Sequence, residues 1–163
     1  MKSGQEQQES DLNMSRLTAK ELSYISGFFD GEGSVTIHEN CRPSPRGKNP
    51  NHTLQVSIGN TDPSIPTWLQ ETYGGALFIR NPPKKNHKTF YQWTIRSRGA
   101  LTFLEEIEPF VLMKKRQIEI AIEFQRTKKR YAGGPGKVIP GEEIQWREEQ
   151  RQKIRVLNGR NVR

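Results

Sequence analysis

The stretch LTAKELSYISGFFDGEGS, residues 17–34, decides the fold. Thr18 and Glu21 stand at capping-box spacing, in which the threonine side chain accepts from the N–H three residues on and the glutamate answers the cap's own N–H. Leu17 and Leu22 flank the box as a hydrophobic staple. A helix is therefore predicted from here, with Leu22, Ile25, Phe28 and Phe29 on one broad side. It is expected to run to about Asp30, where Gly31 and Gly33 end it. Residues 34–38, SVTIH, then alternate polar and apolar with period two, as a half-buried strand does.

Upstream, residues 1–16 are polar and aperiodic, which predicts a disordered arm. Downstream, residues 40–51 (NCRPSPRGKNPN) read as a loop rich in Pro, Gly, Asn and basic residues, and the alternation returns in residues 53–58 (TLQVSI). A short helix is expected after Asp62 and Pro63, with Asp62 as its cap and Pro63 at its first position. Pro66 leaves its start open by a few residues. Gly74 and Gly75 break the chain, and residues 77–80 and 90–96 read as paired strands around the basic turn PPKKNHK at 82–88. Helices are expected from Gly99 to about Ile107, ending near Pro109, and from Lys114 to Arg130, with Ile118, Ala121, Ile122 and Phe124 inward. After the loop YAGGPGKVIPG comes a last helix, 142–157, and a basic tail. Two hairpins with helices on one side make an α+β domain. Residues 17–163 are expected to form one domain, with a core over about 17–130 and a C-terminal helical extension over about 142–158.

Composition narrows the function classes. Lys and Arg number 26 against 18 Asp and Glu, a net charge of +8, which suits a polyanion such as DNA, RNA or an anionic membrane face. Cys41 is the lone cysteine, so no internal disulfide can form and a reducing compartment fits. His38, His52 and His87 are too scattered to make a zinc pattern with it. The N-terminus has no apolar signal region, and no run approaches the ~20 apolar residues of a membrane span. The expectation is a soluble intracellular protein, in the cytoplasm, nucleoid or an organelle. Nucleotide-binding, zinc-protease and serine-hydrolase motifs are absent, and an EF-hand reading of DGEGS fails because Val35 and Cys41 occupy its sixth and twelfth positions.

The strands have a polar set opposite the apolar one. Ser34, Thr36 and His38 alternate with Val35 and Ile37; Thr53, Gln55 and Ser57 with Leu54, Val56 and Ile58; Gln92, Thr94 and Arg96 with Trp93 and Ile95; and Arg80 ends the third strand. If helices cover one face, the other offers hydrogen-bonding side chains that can reach base edges in a major groove. Arg42, Arg46 and Lys48 in one loop and Lys84 and Lys85 in the other would then meet phosphates. An ordinary solvated sheet face would show the same alternation.

The first helix also carries small residues. Ser26, Gly27 and Gly31, beside Tyr24, would let a second, identical helix approach closely, as in a two-fold interface. Glu32, flanked by glycines, stands at its end, two residues after Asp30. Such carboxylates suit Mg²⁺, which takes oxygen ligands and keeps several waters, and a pair of them suits metal-assisted phosphodiester hydrolysis. Asp30 itself reads better as an interface or helix-end residue than as a ligand.

ISGFFDGEG, Ile25 through Gly33, resembles the LAGLIDADG motif, and the predicted order resembles the αββαββα core of the LAGLIDADG homing endonucleases, here with an additional C-terminal helix. The resemblance covers about Leu17 to Arg130. It implies a metal-dependent endonuclease, of the kind associated with intron homing, that cuts both strands of a long pseudo-palindromic double-stranded DNA site. Chains with one motif, as here, act as homodimers. The second acidic residue of the motif, Glu32, would bind the catalytic metal together with the carbonyl of Gly31. Mg²⁺ is the expected ion; Mn²⁺ is expected to substitute, and Ca²⁺ to support binding without cleavage. PFVLMKKRQ, residues 109–117, resembles the segment that supplies a basic active-site residue, which maps onto Lys114, with Lys115 one step away. Asp62 falls where the family places a polar residue that organises water, although it can equally cap the helix. Some single-motif members carry an arginine four residues later, where this chain has Pro66. The alternative from another class is a non-cleaving intron maturase or DNA-binding regulator on the same fold.

Overall fold

The computed structural model describes residues 17–44, 47–82, 87–131 and 138–159. The arm over 1–16, Arg46, Lys84 and Lys85 lie outside the described residues. The elements follow in the order α1 (Ala19–Glu32), β1 (Gly33–Ser44), β2 (Gly47–Asn60), α2 (Ser64–Tyr73), β3 (Ala76–Arg80), β4 (Phe90–Arg96), α3 (Ser97–Ile107), a short 3-10 turn (Glu108–Phe110), α4 (Lys115–Thr127) and α5 (Gly141–Leu157). The four strands form one antiparallel sheet in the order β1-β2-β4-β3. This is the expected α+β architecture.

The capping box forms: the Glu21 N–H donates to Thr18 Oγ1 at 3.3 Å, and the Thr18 N–H to Glu21 Oε2 at 2.8 Å. Helix α1 runs two residues further than the glycines suggested. Gly31 stays helical, and the Gly33 N–H still reaches the Phe29 carbonyl. Gly33 is a glycine for space rather than for turning. Its backbone is extended, and a Cβ there would meet Phe29 Cδ2 at 2.2 Å and the Phe29 carbonyl oxygen at 2.6 Å. Helix therefore passes into strand with no linker, and Glu32 is the last helical residue.

The expected loop over 40–51 is largely strand. β1 and β2 pair continuously from Gly33 opposite Ile58 to Ser44 opposite Gly47. Arg42 and Lys48 thus stand in strands, opposite Asn49 and Pro43. The cause is topological. β2 pairs with β4 only over Gln55–Asn60, so beyond Thr53 the hairpin is a two-stranded ribbon. With no third strand, the period-two pattern is not imposed, and Pro43 and Pro50 are tolerated where no further ladder needs their missing N–H.

The core lies between the sheet and the helices. Phe29, Trp93 and Phe103 are fully buried, and with Tyr73 they form a chain of edge-on contacts, with Phe103 about 5.1 Å from both Tyr73 and Trp93. Helix α5 is held differently. Ile154 is its one fully buried apolar side chain, and Glu143, Arg147 and Gln150 are buried with it. Arg147 bonds Glu143 at 2.8 Å and donates to the Lys129 carbonyl at 2.8 Å, while Asn158 Nδ2 donates to the Val35 carbonyl on β1. Among the described residues no helix is long and apolar enough to cross a membrane.

Candidate active site and nucleic-acid interface

Helical periodicity sorts the small residues of α1 into two groups. Positions 22, 26 and 30, four apart, face inward. Ser26 is 0% exposed, and its hydroxyl donates to the Leu22 carbonyl at 2.7 Å and the Ile107 carbonyl at 3.3 Å. Asp30 is 8% exposed. Neither is available to a partner helix, which corrects their assignment to an interface. Tyr24, Gly27 and Gly31 are exposed, and a Cβ at Gly27 or Gly31 would meet nothing within 4 Å. The outward stripe is thus nearly bare backbone beside one tyrosine.

Asp30 has another task. Its carboxylate accepts the N–H groups of Leu112, Met113 and Lys114 at 2.8, 3.1 and 3.0 Å. Burial pushes this carboxyl up, but the three N–H donors and the Lys114 ammonium outweigh it and hold it below the usual aspartate range. The clamp fixes the segment entering α4 against the end of α1. Lys114 is the residue before the first helical one, and its ammonium donates to the Asp30 carbonyl. Lys115 begins α4 and is exposed.

The clamp decides what remains open at the end of α1. Of its four terminal carbonyls, Phe29 accepts from Gly33 and Asp30 from Lys114. The carbonyl of Gly31 has no hydrogen-bond partner among the described residues, and neither has the exposed carboxylate of Glu32. These are hard oxygen donors at the negative end of a helix dipole, a set that fits a magnesium-like cation. The register, Gly33 opposite Ile58, brings the end of β2 and the segment to Asp62 to the same end of the sheet. Asp62 caps α2: its Oδ1 accepts the Ser64 N–H at 2.8 Å, and bonds from the Ser64 hydroxyl and N–H lower its carboxyl. Pro63 stands at the cap position, the residue before the helix rather than its first, and Asp62, one residue earlier, reaches past it to Ser64.

On the sheet, cross-strand pairing gathers the polar set on one face. Thr36, Gln55 and Arg96 form a row, and Arg96 Nε donates to Gln55 Oε1 at 2.8 Å. Ser34, Ser57 and Thr94 form the next row, His38 faces Thr53, and Gln92 faces Gly59. Ser34, Thr36, Thr53, Gln55 and Gln92 are partly exposed, and His38, Arg80 and Arg96 are exposed. Ser57 and Thr94 are buried, in the two central strands, so they form the floor of this face. Sequence reading missed two residues here. Phe78 stands opposite Gln92 and Phe90 opposite Arg80, both exposed on the polar face, and a Cβ at Gly59 would meet the Phe90 ring at 2.3 Å. Their parity with Arg80 and Gln92 was the available signal.

A second group of metal-ligating types also lies away from Glu32. A ring nitrogen of His52 and one oxygen each of Glu39 and Glu148 lie within 4.8 Å of one another. Glu148 is already engaged by His52 at 3.2 Å, Arg151 at 2.7 Å and Gln152. We read this group as part of the polar latch holding α5.

No family model and no curated protein matches the chain. Several solved structures share its fold. The archaeal intron-encoded homing endonuclease I-Vdi141I, complexed with DNA, has a TM-score of 0.65 at 16% identity, covering 88% of this chain and 87% of that one. The homing endonuclease I-CvuI, in complex with the I-CreI target and with its DNA not cleaved, has a TM-score of 0.64 at 14% identity, over 88% and 85%. The homing endonuclease I-TnaI gives 0.54 at 18% identity, over 85% and 95%.

Proposed function

We propose that this chain, which has the α+β fold of the LAGLIDADG homing endonucleases, is itself a site-specific, metal-dependent endodeoxyribonuclease that works as a homodimer inside a cell or organelle. The observation that carries the reading is the end of α1. An unpartnered Glu32 carboxylate and an open Gly31 carbonyl end a helix whose Asp30 carbonyl accepts from the Lys114 ammonium and whose outward stripe is free for a second copy. Two-fold pairing along Tyr24, Gly27 and Gly31 would bring two such ends together, one for each DNA strand.

Glu32 and the Gly31 carbonyl would hold Mg²⁺, which when bound polarises the scissile phosphate and lowers the pKa of the attacking water. Lys114, fixed by the Asp30 clamp, would stabilise charge developing on the phosphate. Asp62, while capping α2, would orient water through its second oxygen. The row of Thr36, Gln55 and Arg96, with His38 and Gln92, would read base edges in the major groove.

The test is a paired assay on the uninterrupted host locus: gel retardation in Ca²⁺ and cleavage in Mg²⁺. Glu32→Gln nearly keeps shape but removes the charge, so it should bind DNA and not cut. Lys114→Met should cut more slowly by orders of magnitude. Full-rate cutting by Glu32→Gln would remove that residue from the mechanism. Binding without cutting by the unaltered protein would favour the maturase or regulator reading.

A further inference from the structure

Between the C-terminal half of α5 and the outer edge of β1 lies a cavity of about 290 Å³, whose polar lining is Thr36, His38, Glu39, Arg151, Arg155 and Asn158. Asn158 ties the helix end to the strand by its bond to the Val35 carbonyl. Arg151 is spent within the protein, at 2.7 Å from Glu148 and 3.7 Å from Glu39, so the one acid of the lining faces a cation already. Arg155 makes no ion pair among the described residues and is half-buried. Its guanidinium is the uncompensated charge of this cavity. A last-turn arginine also offsets the helix dipole, a role that needs no ligand.

The position of the cavity gives the charge a second use. Four strands spaced ~4.8 Å apart span about 14 Å, close to the ~12 Å width of the major groove. A sheet laid in that groove by its polar face therefore carries its outer strands at the sugar–phosphate backbones. β1 is an outer strand. Thr36 and His38 belong to the reading face, and Arg155 stands just beyond them.

We infer that Arg155 binds a backbone phosphodiester of the DNA at this cavity, so that α5 is part of the nucleic-acid interface as well as a brace on the sheet. A guanidinium suits the task, since it can offer two N–H groups to two phosphate oxygens at once. The inference rests on the DNA-binding reading above and adds a contact on an element which that reading leaves unused.

The experiment is fluorescence anisotropy with a labelled random-sequence duplex over a series of NaCl concentrations. Arg155→Gln should bind several-fold more weakly at low salt, with a slope of log K against log salt shallower by about 1.8, the value of two lost phosphate contacts, one in each subunit of the dimer. Arg155→Lys, which keeps the charge, should restore most of the slope and separate a lost contact from a damaged helix. Lys153→Gln removes an equal charge from the same helix on the side of a different groove, lined by Arg116 and Leu157. It should leave the slope unchanged. An unaltered slope in Arg155→Gln, or an equal loss in Lys153→Gln, overturns the inference. Failure of the unaltered protein to bind any duplex would instead sink the DNA-binding reading itself.

Discussion

Replacing Asp30 by alanine tests the junction on which the proposed site stands. The carboxylate accepts three backbone N–H groups, and a hydrogen bond to a charged group contributes about 1.5–3 kcal/mol net. The simple sum overstates the loss. Leu112 and Met113 are 86% and 77% exposed, so water can stand in for the carboxylate at two of the three N–H groups. The N–H of the half-buried Lys114 is harder to rehydrate. We expect Asp30→Ala to cost about 2–4 kcal/mol, and Asp30→Asn, which keeps one acceptor oxygen, about half of that. The pH dependence follows from the lowered carboxyl. A group whose folded pKa lies below its unfolded value, ~3.9 for aspartate, stabilises fully above that value and loses the contribution as pH falls through the folded pKa. Urea unfolding at neutral pH should therefore show the full gap between the parent protein and Asp30→Asn, and the gap should close in acid, below the folded pKa. A cost under ~0.5 kcal/mol at neutral pH, the range of ordinary surface changes, or a gap that persists unchanged in acid, would refute the clamp.

For Gly27→Leu, the added Cβ meets nothing within 4 Å in the single chain, and leucine is the better helix former by roughly 0.5–1 kcal/mol. The substitution should leave the monomer as stable or slightly more so while abolishing dimerisation and cutting, read by thermal melting and sedimentation. Gly33→Ala forces a carbon against the Phe29 ring and carbonyl and should cost about 1–3 kcal/mol as overpacking; an unchanged melting midpoint would contradict the close approach. Gln55→Ala or Arg96→Ala should shift base preference at particular positions of a selected target by roughly 1–3 kcal/mol each. Identical target profiles would show that this face is not the reader.

The parts of the fold legible in the sequence are those in which one physical cause sets the pattern. Thr18 and Glu21 announce α1 because two orphan donors need two acceptors at fixed spacing. Val35, Ile37, Leu54 and Val56 alternate because a core lies under them. The pattern fails where that cause stops. Past Thr53 the hairpin leaves the third strand, proline and glycine carry no penalty there, and residues 40–51 look like loop although nearly all of them are paired. Helix α5 was placed to within a residue, but its attachment was not legible. Its contacts include hydrogen bonds from Arg147 to the Lys129 carbonyl, from the Lys129 N–H to Glu143 and from Asn158 to the Val35 carbonyl, which leave no periodic trace.

The site divides along the same line. Glycine flanks and a terminal carboxylate were visible, and so was the basic segment at 114–116. What spacing alone could not show is which small or acidic residues serve the chain itself. Ser26 and Gly27 are neighbours in sequence, yet 100° of helical rotation puts one on the Ile107 carbonyl and leaves the other bare. Asp30 and Glu32, two residues apart, are likewise turned to different sides, one to the N–H groups entering α4 and the other to solvent. A buried carboxylate with three of its about four lone-pair sites taken by N–H donors is poorly accessible to a cation. The inward aspartate therefore does not compete with the outward glutamate for the metal proposed above. It fixes the lysine's segment against the helix end that carries the glutamate, so the division of labour between the two acids follows from helix geometry before any ligand is present.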